Sequence, residues 1–200
     1  MASAAPPRPA VLVVLGPTGV GKTALAVERA RHSGGEGVSA DSRQVYRGMD
    51  IGTAKPSAAQ RAAVPHHLLD LVDPNVPYSL AEFCEQARAA LDDIAARGGL
   101  PLLVGGTGQY LAALLEGWSV PRVPPQPGLR ARLQEEAQAQ GVEVLYRRLQ
   151  ERDPEAAARI LPGNLRRIGR ALEVLEVTGE PFSRQQRRAI ASVAGDPLLE

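Results

Sequence analysis

Apolar and polar positions follow two different rhythms along this chain, and the change falls near residue 117. Before it, short apolar runs alternate with segments of helical period. The runs 11–15, 37–40, 67–72 and 100–104 are predominantly apolar, the pattern of strands buried on both faces. Between them, 23–32, 57–63, 79–97 and 110–116 place apolar residues three and four apart, which predicts helices. Ser79, with Glu82 three positions on, marks the start of the longest one as a capping box. Strand alternating with helix implies a mostly parallel sheet with helices on both faces. Four strands make a thin sheet of this kind, so further core sequence is expected to belong to it.

After Gly117 the strand rhythm stops. Pro121, Pro124, Pro125 and Pro127 predict a stiff connector. Helical periods then cover 129–140, 142–153, 154–161 and 165–178, the last stopped by Gly179. Within 165–178, Leu165, Ile168, Leu172 and Leu175 share one face, while Arg166, Arg167 and Arg170 project from another arc. Such an arginine cluster is either a solvated surface or a grip on phosphates, for which Arg suits bidentate contact. Arg184, Arg187 and Arg188 follow.

The first apolar run delivers Gly16-Pro17-Thr18-Gly19-Val20-Gly21-Lys22-Thr23, the pattern G-x-x-x-x-G-K-[ST] between a strand and a helix. Glycines let the backbone N–H groups turn inward around an anion, and the helix start adds partial positive charge. Lys22 reaches the terminal phosphates and the Thr23 hydroxyl holds Mg2+. Of 23 basic residues only Lys22 and Lys55 are lysines, so a compact ammonium is kept here while composition bias favours Arg elsewhere. The chain is expected to bind a di- or triphosphate. The fold class is therefore α/β: a P-loop core at 10–117, an all-helical insertion at 118–193, an Ala/Pro-rich disordered tail at 1–9, and at 194–200 the start of a further core segment.

A formal net charge of +1 supplies no global field demanding a polyanion. The lone Cys84 excludes an internal disulfide and reads as packing in a reducing compartment. No apolar stretch reaches the length of a membrane span, and the expected location is the cytoplasm.

Ligands of parallel sheets sit at the carboxyl ends of strands. The second strand ends at Asp41, which either accepts a proton from a bound substrate or caps the following turn. The fourth ends in Gly105-Gly106-Thr107, where a nucleotide hydrolase carries a metal-binding Asp. Here the glycines permit close backbone approach, and Thr107 offers a hydroxyl or a helix cap. The nine-residue loop 48–56 holds the second lysine, and long loops with unusual side chains are often functional. His66-His67 lacks a third ligand nearby, so no metal site is expected there.

The phosphate loop, Ala40-Asp41-Ser42-Arg43-Gln44-Val45-Tyr46-Arg47-Gly48-Met49-Asp50-Ile51-Gly52-Thr53-Ala54-Lys55-Pro56, His66-His67-Leu68-Leu69-Asp70, Gly105-Gly106-Thr107-Gly108-Gln109-Tyr110-Leu111 and Arg166-Arg167-Ile168-Gly169-Arg170-Ala171-Leu172-Glu173-Val174 together resemble the tRNA dimethylallyltransferase family, in family order. The resemblance implies a nucleotide-type phosphate loop that binds dimethylallyl diphosphate with Mg2+, and a channel into which tRNA brings an adenine beside its anticodon. It implies Asp41 as general base and Thr107 at the reaction centre and tRNA contact. It also implies tRNA contacts at Asp41, Ser42, Arg43 and Gln44, at Arg130, and at Arg166, Arg167, Ile168, Gly169 and Arg170. The helical part would grip the anticodon stem, and the protein would act as a monomer. The family pattern extends beyond Glu200, so the chain is expected to be C-terminally truncated, a fragment or a degenerate copy. The alternatives are a small-molecule phosphotransferase of the nucleoside- or shikimate-kinase kind, and an inactive phosphate- or RNA-binding remnant.

Overall fold

The computed structural model describes residues 10–118, 120, 121 and 123–185, and these divide into two compact units that meet between Trp118 and residue 120. The expected tail at 1–9, Arg187, Arg188 and the expected start of a core segment at 194–200 lie outside the described residues.

The first unit runs β1 (Leu12–Leu15), α1 (Lys22–Ser33), β2 (Glu36–Ala40), α2 (Ala58–Ala63), β3 (His66–His67), α3 (Leu80–Ala96), β4 (Pro101–Gly105) and α4 (Gly108–Leu115). All strand pairs are parallel, in the order β1-β4-β2-β3. Residues on both sides of the pleat are buried: Leu102 and Leu103 are each fully enclosed. Leu102 and Val104 pack with Leu12, Val14 and the α1 alanines Ala26 and Ala30. Two alanines four residues apart let that helix lie close to the strands. Leu103, out of phase by one, faces the other side, where α3 packs on β2 and β4. Phe83, Ala87, Leu91 and Ile94 of α3 are buried at helical spacing.

The capping box expected at Ser79 is present: Ser79 Oγ accepts from Glu82 N, and the Glu82 carboxylate accepts from Ser79 N at 2.8 Å. Such a cap is worth about 0.5–2 kcal/mol. Ser57 and Gln60 build a second box on α2. At the amino end of β2, Glu36 accepts two bonds from Arg97 and one from His67 Nε2 at 2.6 Å. The Arg97 bonds, against the opposing push of burial and helped by His67, bring the Glu36 carboxyl down to about 2.

One strand is shorter than its apolar run predicts. β3 covers only His66–His67, because Leu68 (φ 62°) and Asp70 (φ 55°) take the left-handed conformation and turn the chain out of the sheet. Val72 then makes a single bridge with Tyr46. Hydrophobic pattern carries no sign of backbone handedness, so the run looked continuous.

The second unit contains α5 (Pro127–Gln140), α6 (Val142–Arg152), α7 (Pro154–Arg159) and α8 (Leu165–Thr178), with no strand among its described residues. Leu133, Leu145, Leu149, Ile168, Leu172 and Leu175 form its core. Asn164 caps α8 by accepting from Arg167 N, and Gly179 (φ 70°) ends it. Asp153 caps α7 and also accepts both the amide and the hydroxyl of Ser183, a residue thirty positions on.

Candidate active site

The carboxyl ends of β1, β2 and β4 open on one cavity of about 250 Å³. Thr18, Gly19, Gly21, Lys22 and Thr23 line it from the loop after β1. Gly19 (φ 87°) and Gly21 (φ 85°) hold conformations costly for any side chain. Gly21 occupies the cap position of α1 and provides no side-chain cap, which leaves the first amides of the helix available to an anion. Lys22 Nζ folds back to donate to Pro17 O at 2.7 Å.

From β2, the period of two places Gly37, Ser39 and Asp41 on the cavity side. Asp41 Oδ1 accepts from Arg43 N at 2.9 Å, a local turn. Its Oδ2 makes no hydrogen bond among the described residues. One oxygen of Asp41 thus shapes the turn, and the residue lines the cavity.

Thr107 does not cap α4 with its side chain. Its Oγ1 accepts from Ser42 N at 3.0 Å and lies 3.4 Å from Ser42 Oγ, while its amide donates to Ala40 O at 3.3 Å. This ties the end of β4 to the end of β2. The closeness depends on Gly105, where a Cβ would stand 2.3 Å from Ala40 O and 2.5 Å from the same carbonyl carbon. No side chain fits against a backbone that near.

Sequence reading named Gln44 but not its support. Gln44 Oε1 accepts from Ser39 Oγ at 2.9 Å, and its Nε2 donates to Thr53 O and Ala54 O at 3.1 and 3.2 Å. Thr53, Ala54, Pro56, Gln60 and His66 also line the cavity, although none is among the site residues expected from the sequence. The glycine punctuation and second lysine of the loop 48–56 point to the first three, and nothing local points to Gln60. His66 Nδ1 bonds Val64 O at 2.7 Å, and burial lowers its pKa. His67 serves Glu36, as described. Among the described residues no group of three or more His, Cys, Asp or Glu side chains could hold a metal ion, and no helix is long and apolar enough to cross a membrane. Cys84 is buried, and burial raises its thiol pKa.

The basic residues expected on tRNA belong to the second unit and differ among themselves. Arg130 is bidentate to Glu173, at 2.7 and 2.8 Å. Arg170 donates to the same carboxylate at 2.6 Å and to Val123 O and Pro121 O at 3.0 and 3.3 Å. Gln126 N completes the set at 2.7 Å. Glu173 is fully buried. Burial pushes its carboxyl up, but Arg130, the Gln126 amide and Arg170 outweigh it and bring the pKa down to about 2. Arg170 is therefore half-buried rather than projecting to solvent. Arg166 and Arg167 are exposed, and Gly169 is half-buried. Ile168 has no exposure and packs in the core, so its side chain faces the helical interior.

Fold and site together define a phosphate-loop α/β protein with a helical companion unit. Residues 44–197 match the model of the IPP transferase family, and the chain belongs to that family. It is 65% identical over 176 residues to a tRNA dimethylallyltransferase of Roseiflexus castenholzii, covering 88% of this chain and 58% of the relative. A tRNA dimethylallyltransferase of Chloroflexus aurantiacus is 62% identical over 178 residues, at 89% and 60% coverage. Among solved structures, a eukaryotic dimethylallyltransferase acting on tRNA aligns with a TM-score of 0.74 at 32% identity, over 90% of this chain and 44% of that one. The tRNA isopentenylpyrophosphate transferase of Bacillus halodurans gives 0.54 at 44% identity, over 86% and 57%. The chain thus spans a little under three-fifths of the Roseiflexus relative's length.

Proposed function

We propose that this chain carries the donor-binding and proton-accepting parts of a tRNA dimethylallyltransferase. The observation that carries the reading is a single cavity lined at once by the phosphate loop, by Asp41 and by Gln44. The loop amides and Lys22 take the diphosphate of dimethylallyl diphosphate and stabilise it as it leaves. The exocyclic N6 of a tRNA adenine beside the anticodon forms the new bond to the allylic carbon as the carbon–oxygen bond to diphosphate breaks. The proton released from that nitrogen passes to Asp41. No phosphoryl group is transferred, so no acid is needed after β4, where Gly105-Gly106-Thr107 stands. To reach a cavity of this size the adenine must leave its stack.

Mg2+ fits the donors available. Thr23, whose hydroxyl makes no hydrogen bond among the described residues, lines the same cavity as Asp41, and both side chains carry hard oxygen donors. When bound, the ion would neutralise diphosphate charge. Arg166 and Arg167, exposed on α8, are the cations in this run free for the anticodon stem-loop. We further propose that the protein acts as a cytoplasmic monomer.

Incubation with labelled dimethylallyl diphosphate and an anticodon stem-loop, beside labelled ATP and small alcohols, tests the reading. Label transferred to the RNA supports it. Label moving from ATP to a small alcohol favours a phosphotransferase. Asp41→Asn should bind the donor normally yet lose turnover, and near-normal single-turnover rates in that variant would reduce Asp41 to a turn former.

A further inference from the structure

The second lysine of the chain is not on the surface. Lys55 exposes 1% of its side chain, and its ammonium donates to Asp70 Oδ1 at 2.6 Å, Asp50 Oδ1 at 3.0 Å and the carbonyl of Tyr46. All three donors of the ammonium are used. Asp70 in turn accepts from Arg61 of α2 at 2.7 Å, and Arg61 Nε reaches back to Pro56 O at 3.0 Å. The backbone around this knot is strained. Ala54, Leu68 and Asp70 are the non-glycine residues of positive φ among the described residues, and Ala54 and Asp70 flank the lysine on either side of the knot. Left-handed non-glycine residues persist only where their surroundings over-determine them. The consequence reaches the cavity directly. With Ala54 held so, Thr53 O and Ala54 O both point at Gln44 Nε2, which leaves Gln44 Oε1 to accept from Ser39, two residues before Asp41.

We infer that Lys55, clamped by Asp70, is a positioning residue that holds in place the Ala54–Pro56 segment and the Gln44 carboxamide, which line the same cavity as the phosphate loop. The inference rests on the transferase reading for what meets that segment, namely the hydrocarbon end of dimethylallyl diphosphate. It sets the loop's shape through charge, without touching substrate. A lysine suits the place because three acceptors converge on one point, a geometry a planar guanidinium does not match.

The test uses the whole chain, with inorganic diphosphate and dimethylallyl diphosphate as calorimetric probes and hydrogen exchange across residues 44–56. Lys55→Met keeps the aliphatic stem and removes the charge. Loss of its charge-assisted bonds should weaken dimethylallyl diphosphate about tenfold or more. Inorganic diphosphate, held by the phosphate loop alone, should stay within about twofold. The amides at 54 and 55, bonded to Ile51 O and Asp50 O, should exchange faster. Asp70→Asn, which keeps the shape, should give the same split to a smaller degree, and it decides the matter alone if Lys55→Met does not fold. Unchanged exchange in a folded variant, or equal weakening of both ligands, overturns the inference. Should the unaltered chain prefer inorganic diphosphate, the transferase reading fails, while the exchange experiment still decides whether Lys55 holds the loop.

Discussion

Replacing Glu173 by Gln removes one buried charge and leaves two guanidiniums facing a neutral amide. Arg130 loses half of its bidentate pairing, because one carboxylate oxygen becomes an NH2 group, and Arg170 loses its 2.6 Å partner or the Gln126 amide loses its own. The size of the effect follows from the carboxyl's pKa. Glu173 sits at about 2 in the folded chain against an ordinary 4.5. At about 1.4 kcal/mol per tenfold change in acidity, the ionised form is favoured by roughly 3 kcal/mol. That matches the roughly 3–5 kcal/mol expected when one partner of a buried ion pair is removed. The sign with pH is fixed. A depressed folded pKa contributes stability that is fully present above the unfolded value of 4.5 and is lost as pH falls through the folded value of about 2. Urea unfolding followed by far-ultraviolet circular dichroism reads both quantities. With a slope of about 1–3 kcal/mol/M, the midpoint of the helical unit should drop by about 1–3 M at neutral pH. The gap between the two proteins should close as the titration approaches pH 2. Equal midpoints at neutral pH, or a gap that persists unchanged to the acid end, would refute the reasoning.

Gly105→Ala should cost about 1–3 kcal/mol or more by overpacking, since its methyl would meet Ala40 backbone at 2.3 Å; a melting temperature equal to the parent's would show that the strand ends can part. Lys22→Ala should abolish inorganic diphosphate binding with the fold intact, because among the described residues the Lys22 ammonium bonds only Pro17 O; calorimetry showing the parent's affinity would sink this. Arg166→Gln with Arg167→Gln should weaken binding of an anticodon stem-loop and flatten its salt dependence by about 0.7–0.9 per lost phosphate contact. An identical salt slope would make that face merely solvated. These two are chosen without Arg170, whose loss would disturb Glu173 and confuse binding with stability.

Local chemistry was legible, and interactions across long sequence separation were not. The phosphate loop announces itself because eight consecutive residues share one task. Helix α8 is legible from Leu165 to Thr178 because its apolar stripe and its Gly179 stop are local signals. The run 67–72 was read as a strand because left-handed Leu68 and Asp70 look like ordinary residues in a hydrophobicity pattern. Arg170 looked exposed by angle alone, yet Pro121 and Val123 lie close to fifty positions away and use its guanidinium. Ile168 belonged to two patterns at once, the apolar stripe and the basic run, and burial assigns its side chain to the stripe. Lys55 stood out by rarity, but composition could not distinguish a ligand-seeking lysine from one enclosed by Asp50 and Asp70.

The staple of Glu36 by Arg97 and His67 sits at the amino end of β2, while Asp41 follows its carboxyl end. Four strand residues, 37–40, separate Glu36 from Asp41, and no lining residue of the cavity belongs to the staple. For anyone wishing to stabilise this protein, the two ends of the sheet therefore form separate territories. Substitutions at Glu36, Asp93 and Arg97 themselves can be screened for thermal tolerance first, because none of the three lines the cavity, whereas the neighbouring Gly37 and His66 do. Those at Gly105 couple both properties in every change, because that residue packs against the Ala40 backbone to close the sheet and also lines the cavity.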